Sequence, residues 1–437
     1  MTRIEQKYIE NHPKSAERYA KSRNIFANGV THDARNLRPF PYYVTHSDKA
    51  HKWDVDGNKI IDYWTGHGSL LLGHNHPAVV NAVRKQVGIG THFSASTDLE
   101  IKWAQLITEL VPCGEKVRFN SSGTEADMMA IRIARAYTGR SKVIKFKDHF
   151  HGWSDYASAG NAGAGGIPDE TLSTMLILPP NEISYVEDTI KKNDVAAVIL
   201  EPTGAHMGRD PIKPKFLEQI RQVTKQYGVV LIFDEVVTGF RTSQSGASGY
   251  FGVTPDLSTH AKIMGGGLPG GCVTGKTDLI DMIQLREDPD FNNKHRVSHN
   301  GTYNANPLSA VAGITALEHV RDSNVNETAD KMGKRLKQGL NDLMSKMEVT
   351  GFASGIGSMV FLRVGVEAEN EYHLTPEQCN KLSTSPINTP ARLAMYNHGV
   401  DGWDRFIVSA AHTEHDIDQT VDAVAATFKD LRDESLL

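Results

Sequence analysis

A lysine beside a glycine-rich stretch is the first residue in this chain whose surroundings suggest chemistry. Lys262 lies in Thr259-His-Ala-Lys-Ile-Met-Gly-Gly-Gly-Leu-Pro-Gly-Gly271. Glycines allow backbone or a ligand to approach closely. A lysine in such surroundings can be desolvated, which lowers its pKa and makes its amine available as a nucleophile. The alternative is a surface lysine beside a glycine-rich turn.

Two carboxylates each follow a short apolar run. Asp234 follows Val229-Val-Leu-Ile-Phe233, and Glu201 follows Val195-Ala-Ala-Val-Ile-Leu200. A carboxylate at the tip of a buried strand is partly desolvated and stays ionised only with a partner. Asp234 is therefore a candidate for pairing with a cationic group, and the alternative is a strand-end residue that caps a turn.

The segment Ser121-Ser-Gly-Thr124 precedes an amphipathic helix, which the apolar spacing predicts from Glu125 to Tyr137. Small and hydroxyl residues at a helix N-terminus can form an anion site, since free N–H groups, hydroxyls and the helix dipole all favour negative charge. This predicts a phosphate-binding loop, and the alternative is plain N-capping by Ser122 or Thr124. The segment is not a GxxxxGK[ST] loop and does not indicate a nucleoside triphosphatase.

Together these three features match what pyridoxal phosphate requires from a protein. Its phosphate needs a helix N-terminus, its ring nitrogen needs a carboxylate such as Asp234, and its aldehyde needs a lysine such as Lys262 for a Schiff base. Pyridoxal phosphate is therefore the predicted cofactor.

The elements around these residues predict an α/β fold. Helical and strand patterns alternate through most of the chain, which is typical of a largely parallel sheet. The clearest unit is a strand at 195–200, a helix at 214–227 and a strand at 229–233, a βαβ crossover with both sheet faces covered. Ligands of such sheets bind at the carboxyl ends of the strands, where Glu201 and Asp234 lie.

Composition excludes several classes of protein. The chain has 437 residues and a formal net charge of −5, without the basic cluster of a nucleic-acid-binding protein. Its apolar runs are too short to span a bilayer, and its first residues do not lead into a secretory signal. The three cysteines, Cys113, Cys272 and Cys379, are far apart, which argues against disulfides or a metal site and favours the cytoplasm.

The order of the motifs resembles the class III aminotransferases, which are pyridoxal-phosphate enzymes of fold type I, and within them the branch that contains the glutamate-1-semialdehyde aminomutases. The resemblance extends from about Asn28 to Leu437. It rests on Ser121-Ser-Gly-Thr-Glu-Ala126, His149-Phe-His-Gly152, Leu231-Ile-Phe-Asp-Glu-Val-Val-Thr-Gly-Phe-Arg241, Lys262-Ile-Met-Gly-Gly-Gly267 and Gly301-Thr-Tyr-Asn-Ala-Asn-Pro307.

The resemblance implies a role for each matching residue. Lys262 would form the Schiff base and move the proton, Asp234 would pair with the ring nitrogen, and Glu201 would lie near the ring. Phe150 and Val236 would pack on its two faces. Ser122, Gly123 and Thr124 would hold the phosphate, with Thr302 contributed across a homodimer, and His151 is expected to be structural.

The same resemblance implies the domain organisation. A large domain with a mostly parallel seven-stranded sheet would extend over residues 61–315. A small α+β domain would combine residues 1–60, an N-terminal arm among them, with residues 316–437.

Several positions favour intermolecular transfer over isomerisation. The mutases carry Trp where this chain has His67, and a longer gating loop than Ser158 to Thr174. Asn28 to Arg35, His67-Gly68, His149 to Trp153 and Asp433 to Leu437 are similar to D-phenylglycine aminotransferases, which convert an aryl glycine with 2-oxoglutarate as acceptor.

We therefore expect a transaminase that moves the amino group of an amino acid, such as a D-, β- or aryl amino acid, to a 2-oxo acid through pyridoxamine phosphate. The alternatives are an aminomutase of the glutamate-1-semialdehyde type, and a non-transaminating pyridoxal-phosphate enzyme or cofactor-binding protein. Arg35 aligns with an arginine that binds the substrate carboxylate in the mutases, and Arg38 is a nearby competitor. Arg35 and His67 are the predicted substrate-binding residues.

Overall fold

The computed structural model describes residues 1–437, which divide into two compact units. The small unit comprises Met1–Gly66, Leu71–His76 and Glu327–Leu437, and the large unit comprises His67–Leu70 and Pro77–Asn326. None of the helices is both long enough and apolar enough to cross a bilayer.

The strands, numbered along the chain, are β1 Val44–Asp48, β2 His51–Asp54, β3 Lys59–Asp62, β4 Lys116–Asn120, β5 Lys142–Phe146, β6 Met175–Leu178, β7 Val195–Leu200, β8 Asp210–Pro211, β9 Val230–Asp234, β10 Leu257–Ala261, β11 Gly271–Gly275, β12 Gly351–Ser354, β13 Met359–Val364, β14 Val400–Asp401 and β15 Arg405–Ile407.

The α-helices are α1 Arg3–Asn11, α2 Pro13–Ser22, α3 Thr65–Gly68, α4 Pro77–Val87, α5 Asp98–Leu110, α6 Gly123–Thr138, α7 Asp169–Leu172, α8 Ile183–Lys192, α9 Ala205–Gly208, α10 Pro214–Gln226, α11 Gly246–Phe251, α12 Thr277–Ile280, α13 Pro289–Lys294, α14 Pro307–Asp322, α15 Val325–Lys346, α16 Pro376–Ser383, α17 Asn388–Asn397 and α18 Glu414–Asp433. Single 3₁₀ turns occur at Ala27–Gly29, Asp33–Arg35, Lys262–Gly265, Asp281–Ile283 and Glu371–His373.

The large unit is built on the predicted seven-stranded sheet. Its strand order is β4-β11-β10-β9-β7-β5-β6. All neighbours are parallel except β11, which is antiparallel to both β4 and β10. The expectation of a mostly parallel α/β sheet is confirmed.

The central crossover explains why the chemistry lies at one edge. Every residue of β7 and β9 is buried, because helices cover both faces of the sheet. Helix α10 covers one face with Phe216, Leu217 and Ile220. Strands β7, β9 and β10 are parallel neighbours, so the residues that follow them emerge at the same edge.

The small unit has its own core and two sheets, ordered β1-β2-β3-β14 and β12-β13-β15. Helices α1, α15, α17 and α18 contribute to this core. This is the α+β arrangement that the family resemblance implies.

The two boundaries predicted for the large domain both fall inside regular elements. Residue 61 lies in β3, which pairs with strands of the small unit. Residue 315 lies in α14, which packs over its length against the large unit. A Cβ added at Gly313 of this helix would lie 2.2 Å from the Met264 carbonyl oxygen. The compact units of the structure divide instead after Gly66 and after Asn326, and the domain bounds of 61–315 stay a prediction.

Candidate active site

Lys262 is held in a strained and water-poor position. It follows β10 directly and begins a 3₁₀ turn with a left-handed φ of +53°. Such a conformation costs a non-glycine residue about 1–3 kcal/mol and is concentrated at functional sites. Burial lowers the pKa of the Lys262 ammonium, and the charges of Asp234 and Glu201 oppose this shift. Since no hydrogen bond or ion pair engages its Nζ, the amine is available.

Asp234 ends β9 with its side chain almost fully buried. The Val236 N–H donates to Oδ1 over 3.0 Å, and Nδ1 of His151 lies 2.8 Å from Oδ2. Donors of this kind stabilise the ionised form of a buried carboxylate. His151 therefore has a specific partner at this edge, while its buried Nε2 has none.

Glu201 follows β7 and holds a tight turn. Its carboxylate accepts hydrogen bonds from the backbone N–H groups of Phe150, His206 and Met207 at 3.0, 3.3 and 3.1 Å. His206 and Met207 both adopt left-handed φ angles. Burial, reinforced by the charge of Asp234, raises the pKa of Glu201 to about 7. Glu201 thus lies at the predicted edge, where its contacts are with backbone.

The N-terminus of α6 combines a cap with free donors. The Ser122 hydroxyl accepts the Glu125 N–H at 3.2 Å, so Ser122 caps the helix as the alternative interpretation proposed. The backbone N–H groups of Gly123 and Thr124, and the Thr124 hydroxyl, have no partner within the chain. These are the donors that a phosphate monoester needs at the start of a 16-residue helix.

Two glycines allow neighbouring segments to pack closely around this site. A Cβ at Gly123 would lie 2.8 Å from Cγ1 of Val236, so the start of α6 packs directly on the residues after β9. Gly152 has a φ of +82°, and a Cβ there would lie 2.5 Å from the Thr124 hydroxyl oxygen. The segment that carries His151 is therefore packed against the start of α6.

The donor set fits pyridoxal phosphate. Unpaired N–H groups at a helix N-terminus suit its phosphate, the Asp234 side chain suits its ring nitrogen, and the unengaged amine of Lys262 suits its aldehyde carbon. All three lie at one edge of one sheet.

The large unit also contains the residues predicted to contact the cofactor ring and phosphate, Phe150, Val236 and Thr302. The Phe150 side chain is 54% exposed, which is unusual for a phenylalanine and leaves its ring free to stack. Val236 is half-buried beside Gly123, and Thr302 is exposed in the turn before α14. Their predicted roles, two ring contacts and a phosphate contact across a dimer, remain predictions.

The predicted substrate residues belong to different units. In the small unit, Arg35 is exposed, and its Nη1 donates to the Thr31 hydroxyl at 2.9 Å. In the large unit, His67 adopts a left-handed φ of +56°. Their roles in substrate binding remain predictions.

The small unit also contains a cavity of about 430 Å³ that Arg35 does not line. Arg38, Arg392 and Arg405 line it together with Asp404 and Trp64. The guanidinium groups of Arg392 and Arg405 stack on the Trp64 indole, 5.5 and 4.9 Å from its centroid. Guanidinium groups held in this way suit a small carboxylate. Arg38, the competitor of Arg35, is therefore the one of the two that lies in a concave site.

Sequence reasoning missed one carboxyl group at the cofactor edge. Asp127 lies one turn into α6 and is 1% exposed. The signal was present, since Asp127 shares a helix face with the apolar residues Ala130, Ile131 and Ala134. A carboxyl group on a buried apolar face requires a polar partner, but the sequence could not show which one.

The chain belongs to the class III aminotransferases, whose family pattern matches residues 32–423. Like the rest of this family, it uses pyridoxal phosphate as its cofactor. The chain is similar to a glutamate-1-semialdehyde 2,1-aminomutase of Methanocella arvoryzae, with 37% identity over 94% of this chain and 97% of that protein. The corresponding enzyme 2 of Brevibacillus brevis is 34% identical over 96% of this chain and 99% of its own length. Among solved structures, an omega-transaminase from Sphaerobacter thermophilus superposes with a TM-score of 0.86 at 30% identity, covering 96% of this chain and 98% of that one.

The family, the fold type and the cofactor predicted from the motifs are confirmed, but the main functional expectation is wrong. Transfer to a 2-oxo acid was inferred from His67, from the stretch Ser158 to Thr174 and from short segments similar to D-phenylglycine aminotransferases. The relatives that match nearly the whole chain at 34–37% identity are glutamate-1-semialdehyde 2,1-aminomutases, which favours the isomerase alternative. The segments that resemble D-phenylglycine aminotransferases are short and cover a small part of the chain. Over nearly its whole length, the chain is similar to the aminomutases.

Proposed function

We propose that this protein is an aminomutase of the glutamate-1-semialdehyde 2,1 type, which moves an amino group between adjacent carbons of one molecule. The observation that carries the proposal is the similarity to such aminomutases along nearly the full length of both chains. The reaction is an isomerisation, so its atoms and electrons balance without a second substrate.

The residues at the sheet edge support this chemistry. When bound, pyridoxal phosphate supplies a carbonyl that takes up amino groups and a ring that accepts electrons. Gly123 and Thr124 would hold its phosphate, Asp234 would face its ring nitrogen, and Lys262 would hold its aldehyde carbon.

Lys262 would also move the proton. An amino shift removes a proton from the carbon that bears the nitrogen and returns one at the end of each half of the reaction. A base for this task must be neutral part of the time at the working pH. The desolvated Nζ of Lys262, with its lowered pKa, meets that requirement.

The test uses the holoenzyme and glutamate-1-semialdehyde alone. We expect the isomer with the amino group on carbon 1 to accumulate, without any added 2-oxo acid. Lys262→Ala is the control for non-enzymatic isomerisation and should produce background only. The proposal is wrong if turnover stops after one equivalent and resumes only on addition of a 2-oxo acid.

We further propose that the protein works as a homodimer in the cytoplasm. The exposed position of Thr302 before α14 supports a contact made outside its own chain. The three cysteines are all free, with Cys113 and Cys272 buried, which is compatible with a reducing compartment.

A further inference from the structure

Asp127 is a carboxyl group for which the proposed reaction provides no task. It lies on the first turns of α6 and is 1% exposed, and one of its carboxylate oxygens lies within 4.8 Å of a carboxylate oxygen of Asp234. The Thr259 hydroxyl, itself fully buried in β10, donates to Oδ1 of Asp127 over 2.6 Å. Two carboxyl groups are therefore buried together at the point where the cofactor ring nitrogen would be held.

Ionising two adjacent buried carboxyl groups has a high free-energy cost, because the two negative charges repel each other in a medium of low polarity. One oxygen of Asp127 lies within 4.8 Å of one oxygen of Asp234, so a proton held by one carboxyl group could be shared with the other in a hydrogen bond. Burial and the charge of Asp234 raise the pKa of Asp127 well above its usual value.

The hydrogen bonds indicate which carboxyl group holds the proton. Asp234 accepts the Val236 N–H at Oδ1 and contacts Nδ1 of His151 at Oδ2, so both of its oxygens already have a nitrogen neighbour. Asp127 has one hydroxyl donor at Oδ1, which leaves Oδ2 to carry the proton. The other titratable groups that interact with this pair are Lys262, Glu201, His151, His260 and Tyr156.

We propose that Asp127 is a positioning residue that stays protonated and donates a hydrogen bond to Asp234, so that the pair presents a single negative charge to the cofactor ring nitrogen. This proposal does not depend on which reaction the enzyme performs, because it concerns how the cofactor is held. A neutral Asp127 fixes the orientation of Asp234 without adding a second charge.

The test compares Asp127→Asn with Asp127→Ala. Asparagine is neutral and has nearly the same shape, and its amide can still donate to Asp234 and accept from Thr259. We expect Asp127→Asn to bind pyridoxamine phosphate within about 3-fold of wild type, whereas Asp127→Ala should bind about 10–100-fold more weakly, the range for a lost hydrogen bond to a charged group. Pyridoxamine phosphate is the probe because it binds without the covalent bond to Lys262, and its binding to the apoprotein can be measured by fluorescence.

A second measurement identifies the charge of Asp127 directly. The pKa of the Lys262 amine in the apoprotein can be obtained from the pH dependence of its chemical labelling. If Asp127 is neutral, Asp127→Asn leaves this pKa unchanged. If Asp127 is ionised, removing its charge lowers the pKa of Lys262, and that result would overturn the proposal. Equal losses of pyridoxamine phosphate affinity in the two variants would also contradict it.

Discussion

At the scale of single residues, the site consists of ionisable groups kept away from water. Lys262 is half-buried near carboxyl groups, and Asp234 contacts a backbone N–H and a histidine. A buried charge without such partners would shift its pKa or destabilise the fold. The groups that contact Lys262 and Asp234 therefore influence how readily each side chain carries a charge in the apoprotein.

Lys262→Ala should abolish covalent attachment of the cofactor and lower turnover by at least about 10³-fold, because the amine that moves the proton is lost. The absorbance of the bound cofactor and the initial rate together measure both effects. The variant should still bind pyridoxamine phosphate, since the donors at Gly123 and Thr124 are intact. Turnover within 10-fold of wild type would identify another lysine as the reactive one.

Glu201 should make the apoprotein less stable as the pH rises from about 4.5 to 7. Its pKa is raised from 4.5 to about 7 on folding, so the folded chain binds more protons than the unfolded chain within this interval. Its contribution is fully present below pH 4.5 and is lost as the pH rises through 7, by about 3 kcal/mol in all.

The measurement is urea unfolding of the apoprotein from pH 5 to 8, with Glu201→Gln for comparison. The glutamine has no proton to lose, so the difference in unfolding free energy between the two proteins should change across this range. Parallel pH profiles would mean that Glu201 has an ordinary pKa.

At the scale of elements, the start of α6 is positioned by close backbone contacts that leave no room for side chains. Gly152→Ala should displace the segment around His151 from α6, because the new Cβ would lie 2.5 Å from the Thr124 hydroxyl oxygen and the φ of +82° disfavours alanine. We expect pyridoxal phosphate to bind at least about 10-fold more weakly, on top of a backbone cost of roughly 1–2 kcal/mol.

Gly139→Ala is the matched control. Gly139 caps the other end of α6 with a φ of +68° and has open space around its Cβ position. The Gly139→Ala variant should be less stable than the wild type by about 1 kcal/mol and should keep the wild-type affinity for the cofactor. An equal loss of pyridoxal phosphate affinity in both variants would mean that the stability of the fold, and not the contact with Thr124, determines cofactor binding.

Sequence patterns were sufficient for the elements and insufficient for the contacts between them. Apolar runs located β7 and β9 closely, and the topology of parallel strands placed Glu201 and Asp234 at one edge. Asp127 was missed because its partner, Asp234, is distant in sequence and meets it only when α6 covers the sheet. The domain bounds were taken from the family resemblance, which does not specify the helix at which the compact units of this chain divide, after Asn326.

At the scale of the whole molecule, Thr302 is expected to complete the phosphate site of a second subunit. Light scattering during gel filtration should give the mass of a homodimer, and a monomer that keeps cofactor and activity would contradict this. A dimer alone does not test Thr302, so a complementation experiment is needed.

Lys262→Ala and Thr302→Ala should each be weakly active and should complement each other when co-expressed. In a mixed dimer, the chain with an intact Lys262 receives an intact Thr302 from its partner, whereas the other site lacks both. Random pairing makes half of the dimers mixed, with one complete site each, so about a quarter of wild-type activity should return. If Thr302 served its own chain's phosphate, each Thr302→Ala chain would keep its defect in every pairing. Activity of the mixture would then equal the average of the two single variants, and the shared site would be wrong.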